Sequence, residues 1–130
     1  VFLNISLNLP FKNPVKQIAV VILNWNGAAL LERFLPTVLK NSGEMAHVYV
    51  ADNGSTDSSI VLLKEQFPQV TIIEMPHNNG FAGGYNLALQ QISEPLFCLL
   101  NSDVSPDENW LVPILKKFGR CRKSGIFCCR

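Results

Sequence analysis

Four apolar runs divide the chain, at residues 18–23, 48–50, 70–73 and 96–100. The first, IAVVIL, is unbroken and rich in branched side chains, which suits a strand buried on both faces. Between the runs, apolar positions fall at helical spacing. Leu30, Leu31, Phe34, Leu35 and Val38 mark a first helix, and Ile60, Leu63 and Phe67 a second. A third, over 83–91, carries Tyr85, Ala88, Leu89 and Ile92 along one side. Ser55 and Thr56 are N-cap candidates for the second helix. Ser105-Pro106-Asp107-Glu108 combines a capping serine, a proline at the first helical position and a glutamate three residues after the cap. This predicts a fourth helix through Trp110, Leu111, Ile114 and Leu115. Pro36 conflicts with the first helical pattern and is expected to kink that helix or displace its start.

Strands separated by helices of this length require crossover connections, so the expected fold is α/β, a mostly parallel sheet with helices on both faces. Ligands in such sheets bind beyond the carboxyl ends of the strands, near the point where strand order reverses. Each of the four strands leads into a polar cluster: Asn24-Trp25-Asn26-Gly27, the run from Asp52 to Asp57, His77-Asn78-Asn79-Gly80, and Asn101-Ser102-Asp103. All four are expected to converge on one edge of the sheet. The opposite edge, with Lys16-Gln17, Gly43-Glu44 and Ser93-Glu94-Pro95, is less uniform.

Composition narrows the classes. A chain of 130 residues with 48% hydrophobic residues builds one compact domain with a sizeable core. Charged residues are only 16% and the formal net charge is +1, which gives no electrostatic footprint for nucleic acid. The stretch 1–10 is apolar but interrupted by Asn4 and Asn8; it is too short for a spanning helix and reads as an outer strand or the remnant of an anchor. Cys98 sits in an apolar run as a small buried hydrophobe, and Cys121, Cys128 and Cys129 lack zinc-ligand spacing. No disulfide framework is implied, and the default compartment is a reducing cytoplasm.

The clusters carry chemistry with alternatives beside it. Asp52, at the end of the second strand, suits hydrogen bonding to a base or to ribose hydroxyls; equally it closes an Asx-turn on Gly54 or Ser55. Asp103, after the fourth strand, suits Mg²⁺ or Mn²⁺ shared with a diphosphate and water, or else helps Ser105 cap the next helix. Gly80-Phe81-Ala82-Gly83-Gly84, between the third strand and third helix, permits close ligand approach, although turn glycines explain it as simply. His77 reads as a turn residue, with acid–base work the lesser reading, and Trp25 as packing, with base stacking the lesser reading. A dinucleotide-dependent oxidoreductase needs a glycine-rich turn after the first strand, and Asn24-Trp25-Asn26-Gly27 does not supply it.

Taken in order, IAVVILNWNG, VYVADNGSTDSS, NNGFAGGYNLAL and FCLLNSDVSPDENWL resemble the amino-terminal part of a family 2 glycosyltransferase, with the A-type nucleotide-diphospho-sugar transferase fold. The resemblance covers residues 17–118 as a nucleotide-sugar-binding part, after an amino-terminal extension at 1–16 and before an atypical tail at 119–130. It implies sugar transfer with inversion from a nucleotide-diphospho-sugar to a saccharide or lipid-linked acceptor, in the cytoplasm and peripherally at the inner face of the membrane. It implies Asn24 and Asn26 at the base pocket, Asp52 on base and ribose, and further donor contacts from Asn53, Asn79, Gly83, Asn101 and Ser102. Asp103 is then the ligand to Mg²⁺ or Mn²⁺. The first position of that metal motif is Asn101, an N-x-D form similar to rhamnosyltransferase-like members. The family's general base is expected downstream of residue 130, and the tail reads as a truncation or a shifted frame. The alternative for the polypeptide as given is a non-catalytic remnant that binds a nucleotide or a partner.

Overall fold

The computed structural model describes residues 16–120 and 127–128, the side chains of 118–120 and of 127–128 excepted. The stretch 1–15, with its outer-strand or anchor reading, lies outside the described residues, as do Cys121, Cys129 and most of the tail. The strands are β1 (Ile18–Asn24), β2 (Ala46–Asp52), β3 (Thr71–Glu74), β4 (Leu96–Leu100) and β5 (Phe127–Cys128). The helices are α1 (Ala28–Ser42), α2 (Ser59–Gln66), α3 (Gly80–Leu89) and α4 (Leu111–Arg120). The sheet has the order β3-β2-β1-β4-β5, and every pair in it is parallel. The tail was not expected to contain a strand, yet β5 pairs with β4, setting Phe127 opposite Cys98.

The central strand β1 is apolar from Ile18 to Leu23 because both of its faces are covered. Ile18, Val20 and Ile22 face one layer with Leu31, Leu35 and Val38 of α1, Leu63 of α2 and Leu111 of α4. Ala19 and Val21 face the other layer with Tyr85 and Ala88 of α3, and with Ile92 just after it. Each fully buried leucine or valine contributes about 2 kcal/mol relative to exposure. Cys98 is 1% exposed, a buried core residue as its neighbours imply.

Several local expectations fail for identifiable reasons. α1 runs unbroken through Pro36 and starts at Ala28, so the proline does not displace its start. Glu32, whose carbonyl loses its partner to the proline, is exposed and open to water. Ser55 and Thr56 do not cap α2, whose N-cap is Ser58, because both are drawn into bonds with Asp52 and Asn26. α4 begins at Leu111 rather than beside Ser105. The preceding segment is pinned to the end of α1 instead: Asn41 Nδ2 donates to the Pro106 carbonyl at 2.8 Å and Trp110 Nε1 to Ser42 Oγ at 3.0 Å. Asn109, with φ of 62°, interrupts any earlier helix. The glycine segment at 80–84 is the first turn of α3, not a loop before it.

Candidate functional site

Strand order reverses between β1 and β4, so the switch point lies at their carboxyl ends. A cleft of about 390 Å³ opens there, lined by Leu23, Trp25, Leu30, Asn53, Asn78, Gly80, Phe81, Asn101, Ser102 and Asp103. The clusters after β1, β2, β3 and β4 all contribute, which is the convergence that parallel strands demand. Trp25 is 58% exposed and Phe81 65%, so neither is core packing. For Trp25 this overturns the packing expectation and leaves its indole face available in the cleft.

Beneath and beside the cleft is a hydrogen-bonded frame. The β1–β2 register ends on the pair Asn24 and Asp52, both buried. Asn24 Nδ2 donates to Asp52 Oδ1 at 2.9 Å and to Ser55 Oγ at 3.2 Å. Ser55 N donates to Asp52 Oδ2 at 2.9 Å, and Ser55 Oγ to Oδ1 at 2.6 Å, so the turn reading of Asp52 is realised. The Asn24 Oδ1 is buried without a partner among the described residues. It lies where a Cβ on Gly27 would come within 2.5 Å, which fixes glycine there.

Asn26 bridges the next loop. With φ of 50°, its Oδ1 accepts from Thr56 N at 2.7 Å and Asp57 N at 3.3 Å, while its own N–H donates to Ser55 Oγ at 2.9 Å. Asp57 completes the clasp: Oδ2 accepts from Ala28 N and Oδ1 from Ser59 N, each at 3.0 Å. One carboxylate thus serves the amino ends of α1 and α2 together. Desolvation acts to raise its pKa, but the bonds from Ser59 and Ala28 outweigh it and hold the carboxyl below its ordinary value.

Asn53 organises the β3–α3 loop. Its Nδ2 donates to Asn78 Oδ1 and to the Gly80 carbonyl, both at 3.0 Å, and its Oδ1 accepts from Asn79 N at 2.9 Å. Asn79 Nδ2 donates to the His77 carbonyl at 2.8 Å, and His77 is an exposed turn residue. Gly83 is partly buried in the first turn of α3, and a Cβ there would lie 3.2 Å from Asn79 Cβ. A Cβ on Gly84 would come within 2.8 Å of Leu23 and 3.0 Å of Asn53 Nδ2, so glycine lets α3 approach β1.

Asn101 and Asp103 are exposed and Ser102 partly so. Asp103 accepts no hydrogen bond among the described residues, and with α4 starting at Leu111 it does not assist a cap. The sequence reading therefore splits in two. Asn24 pairs with Asp52 and Asn53 with Asn79, while Asn26 is spent on Ser55, Thr56 and Asp57, so these five are engaged in the loops themselves, whereas the side-chain oxygens of Asn101, Ser102 and Asp103 are unengaged at the cleft. Ser55, Asp57, Asn78 and Phe81 were named within their clusters but given no role at the site. Each of the first three makes a local bond, Ser55 to Asp52, Asp57 from Ser59 N and Asn78 from Gly80 N, but their bonds to Asn24 and Asn26, to Ala28 and to Asn53 cross between loops and have no local signature.

The donor set tests a divalent cation directly. Asp103 is the single charged side chain lining the cleft among the described residues, and no lysine or arginine accompanies it. No cluster of three His, Cys, Asp or Glu side chains occurs among the described residues. These residues do not make an all-protein cage. They do fit Mg²⁺ or Mn²⁺ held by one carboxylate, with phosphate and water oxygens supplying the rest.

A doubly covered parallel sheet with a cleft at the switch point defines a doubly wound α/β domain, the architecture in which ligands bind at the carboxyl ends of the strands. The chain belongs to glycosyl transferase family 2, whose profile matches residues 19–130. It is 30% identical over 90 residues to an uncharacterized glycosyltransferase of Nostoc sp., covering 67% of this chain and 28% of that protein. Over 75 residues it is 29% identical to the N-acetylglucosaminyl-diphospho-decaprenol L-rhamnosyltransferase of Mycobacterium tuberculosis, covering 58% of this chain and 24% of the relative. The fold matches a mannosyltransferase from Pyrobaculum calidifontis in complex with GDP-Man and Mn²⁺, with a TM-score of 0.70 and 22% identity, over 82% of this chain and 34% of that one. The chain thus spans about a third or less of the length of these relatives. No helix among the described residues is long and apolar enough to cross a membrane.

Proposed function

We propose that the chain is the nucleotide-sugar-binding part of a glycosyltransferase that moves a sugar, with inversion, from a nucleoside-diphosphate donor to a saccharide or lipid-linked acceptor. The observation that carries this reading is the cleft at the β1–β4 switch point, which combines an exposed indole, hard oxygen donors and one carboxylate. Trp25 offers a face for a base to stack on. Asn24, Asn26, Asp52, Asn53, Asn79 and Gly83 shape the nucleoside side, mostly by fixing loops whose backbone groups face the donor. Asn101 and Ser102 contact ribose or diphosphate, and Asp103 holds the cation. A bound Mg²⁺ or Mn²⁺ supplies Lewis-acid stabilisation of the charge developing on the leaving nucleoside diphosphate. Similarity to proteins whose names state GDP-Man, Mn²⁺ and a decaprenol-linked acceptor supports the reading. A lipid-linked acceptor would bring the reaction to the cytoplasmic face of the membrane.

A non-catalytic remnant that binds a nucleotide or a partner is the second reading. It is favoured by the internal bonding of Asp52, whose carboxylate already accepts three hydrogen bonds while only 2% exposed. Calorimetric titration with UDP, dTDP and GDP, with and without Mn²⁺, tests the donor site. One nucleotide is expected to bind about tenfold or more tightly with the metal. Asp103→Ala should remove that gain. Absence of nucleotide binding by the folded chain would refute the donor-site reading; binding without transfer to any acceptor would favour the remnant.

A further inference from the structure

The Asn101-Ser102-Asp103 turn carries the unengaged oxygens of the cleft, and little in its own side chains fixes it. None of the three makes a side-chain hydrogen bond among the described residues, and the turn is closed by Val104 N donating to the Asn101 carbonyl at 3.3 Å. Its anchor comes from another element. Tyr85 of α3 is 4% exposed, and its Oη donates to the carbonyl of Leu100 at 3.2 Å. Leu100 is the last residue of β4, so that bond holds the peptide from which the turn departs.

One helical turn earlier, Phe81 stands edge-on to Tyr85, with ring centroids 5.0 Å apart and planes at 77°. An edge-to-face pair of this spacing restricts both rings. Phe81 also lines the cleft together with Asn101, Ser102 and Asp103. The two rings therefore run from the cleft surface to the backbone that sets the height of Asp103.

We propose that Tyr85 is a positioning residue for the Asn101-Ser102-Asp103 turn, oriented by Phe81, and that it acts on cation-dependent donor binding through the Leu100 carbonyl. The functional half rests on the donor-site reading; the tether itself does not. A side chain that fixes the strand end pre-organises Asp103, so that less order has to be imposed when cation and diphosphate arrive. Tyr85→Phe removes the hydroxyl and keeps the ring, its burial and its contact with Phe81.

Two measurements on the whole chain separate the halves. Amide hydrogen exchange at residues 102–104 is expected to rise about fivefold in Tyr85→Phe, the factor that loss of one hydrogen bond of typical net strength gives. Exchange in β1 should not change. In titrations with UDP, dTDP and GDP, the affinity gained on adding Mn²⁺ should fall by a similar factor of about five. Metal-free affinity should hold. Phe81→Leu, which keeps an apolar side chain and removes the ring contact, should shift both readouts in the same direction by less. Unchanged exchange at 102–104 overturns the tether. A loss of affinity equal with and without Mn²⁺ overturns the positioning role and leaves general destabilisation. Faster exchange in the variant, with no metal-dependent nucleotide binding by the unsubstituted chain, overturns the donor-site reading and upholds the tether.

Discussion

Removing the Asp57 carboxylate should weaken the fold by an amount readable from its two bonds. Oδ1 serves the first amide of α2 and Oδ2 the first amide of α1, each at 3.0 Å. Loss of one such capping interaction costs about 1 kcal/mol, so Asp57→Ala should cost about 2 kcal/mol at neutral pH. Asp57→Asn keeps one acceptor oxygen and turns an NH₂ toward the other amide, so it should retain one bond and lose about half as much. In urea unfolding with a slope of about 1.5 kcal/mol/M, these losses move the midpoint by about 1.3 M and about 0.7 M. Acid supplies the internal control. The Asp57 pKa is depressed in the folded chain, so its contribution is present above the unfolded value and is lost as pH falls through the folded one. The gap between the unsubstituted chain and Asp57→Ala should therefore close as pH falls below about 3.9, the ordinary aspartate value. A gap that is equal at neutral and acid pH, or a cost below about 0.5 kcal/mol at neutral pH, would refute the two-helix clasp.

Gly54→Ala should destabilise by more than about 2 kcal/mol in thermal unfolding, because φ is +75° and the new Cβ would meet the His77 backbone at 2.6 Å; a near-neutral result would mean that the loop is free to move apart. Burial, and then the bonds to Glu94, push the Tyr49 phenol up to about 12. Its contribution to stability is thus full below the ordinary value near 10 and fades as pH rises from there toward 12. Phenolate absorbance in a Tyr85→Phe background should show that late titration, and Glu94→Gln should bring it earlier. Asp103→Ala should leave stability within about 0.5 kcal/mol, as for a surface position without partners. Asp52→Asn should cost about 2 kcal/mol by leaving a buried donor unpaired, and the reverse ranking in urea unfolding would refute the division between frame and ligand face.

What was legible in the sequence is what depends on burial along one segment. Residues 18–23 are covered on both faces, so the run is unbroken and its strand could be read directly, and four such strands imply the convergence of four polar clusters. Helix starts were less legible because capping groups have two possible employers. Ser55 and Thr56 have the chemistry of N-caps but are claimed by Asp52 and Asn26, the latter on a loop 30 residues away from Thr56. The box at 105–108 is likewise overridden by Asn41 and Ser42 at the end of α1. Within the site, the residue types after each strand were informative, but the Asn24–Asp52 pair exists only through the β1–β2 register. That register, and the exposure of Trp25 and Phe81, are tertiary facts without a local signature.

The charge balance of the cleft connects these observations. Asp57 already places a negative charge at the amino ends of α1 and α2, so neither end offers an uncompensated positive pole to a second anion. The cleft itself adds Asp103 and no cationic side chain among the described residues. On the donor-site reading, a diphosphate entering it would meet the Asp103 charge with no cationic side chain beside it, the uncapped amino end of α3 at Gly80 being the one positive pole there among the described residues. A divalent cation on Asp103 would turn that repulsion into attraction. On that reading, the affinity of such a ligand would depend on where Asp103 stands relative to the β1–β4 switch point. That height is set by the end of β4, to which Tyr85 donates its hydrogen bond, and not by the Asn24–Asp52 frame, which holds the neighbouring loops. Substitutions in the frame should act on stability first and on donor binding second, while substitutions around the turn should act in the opposite order.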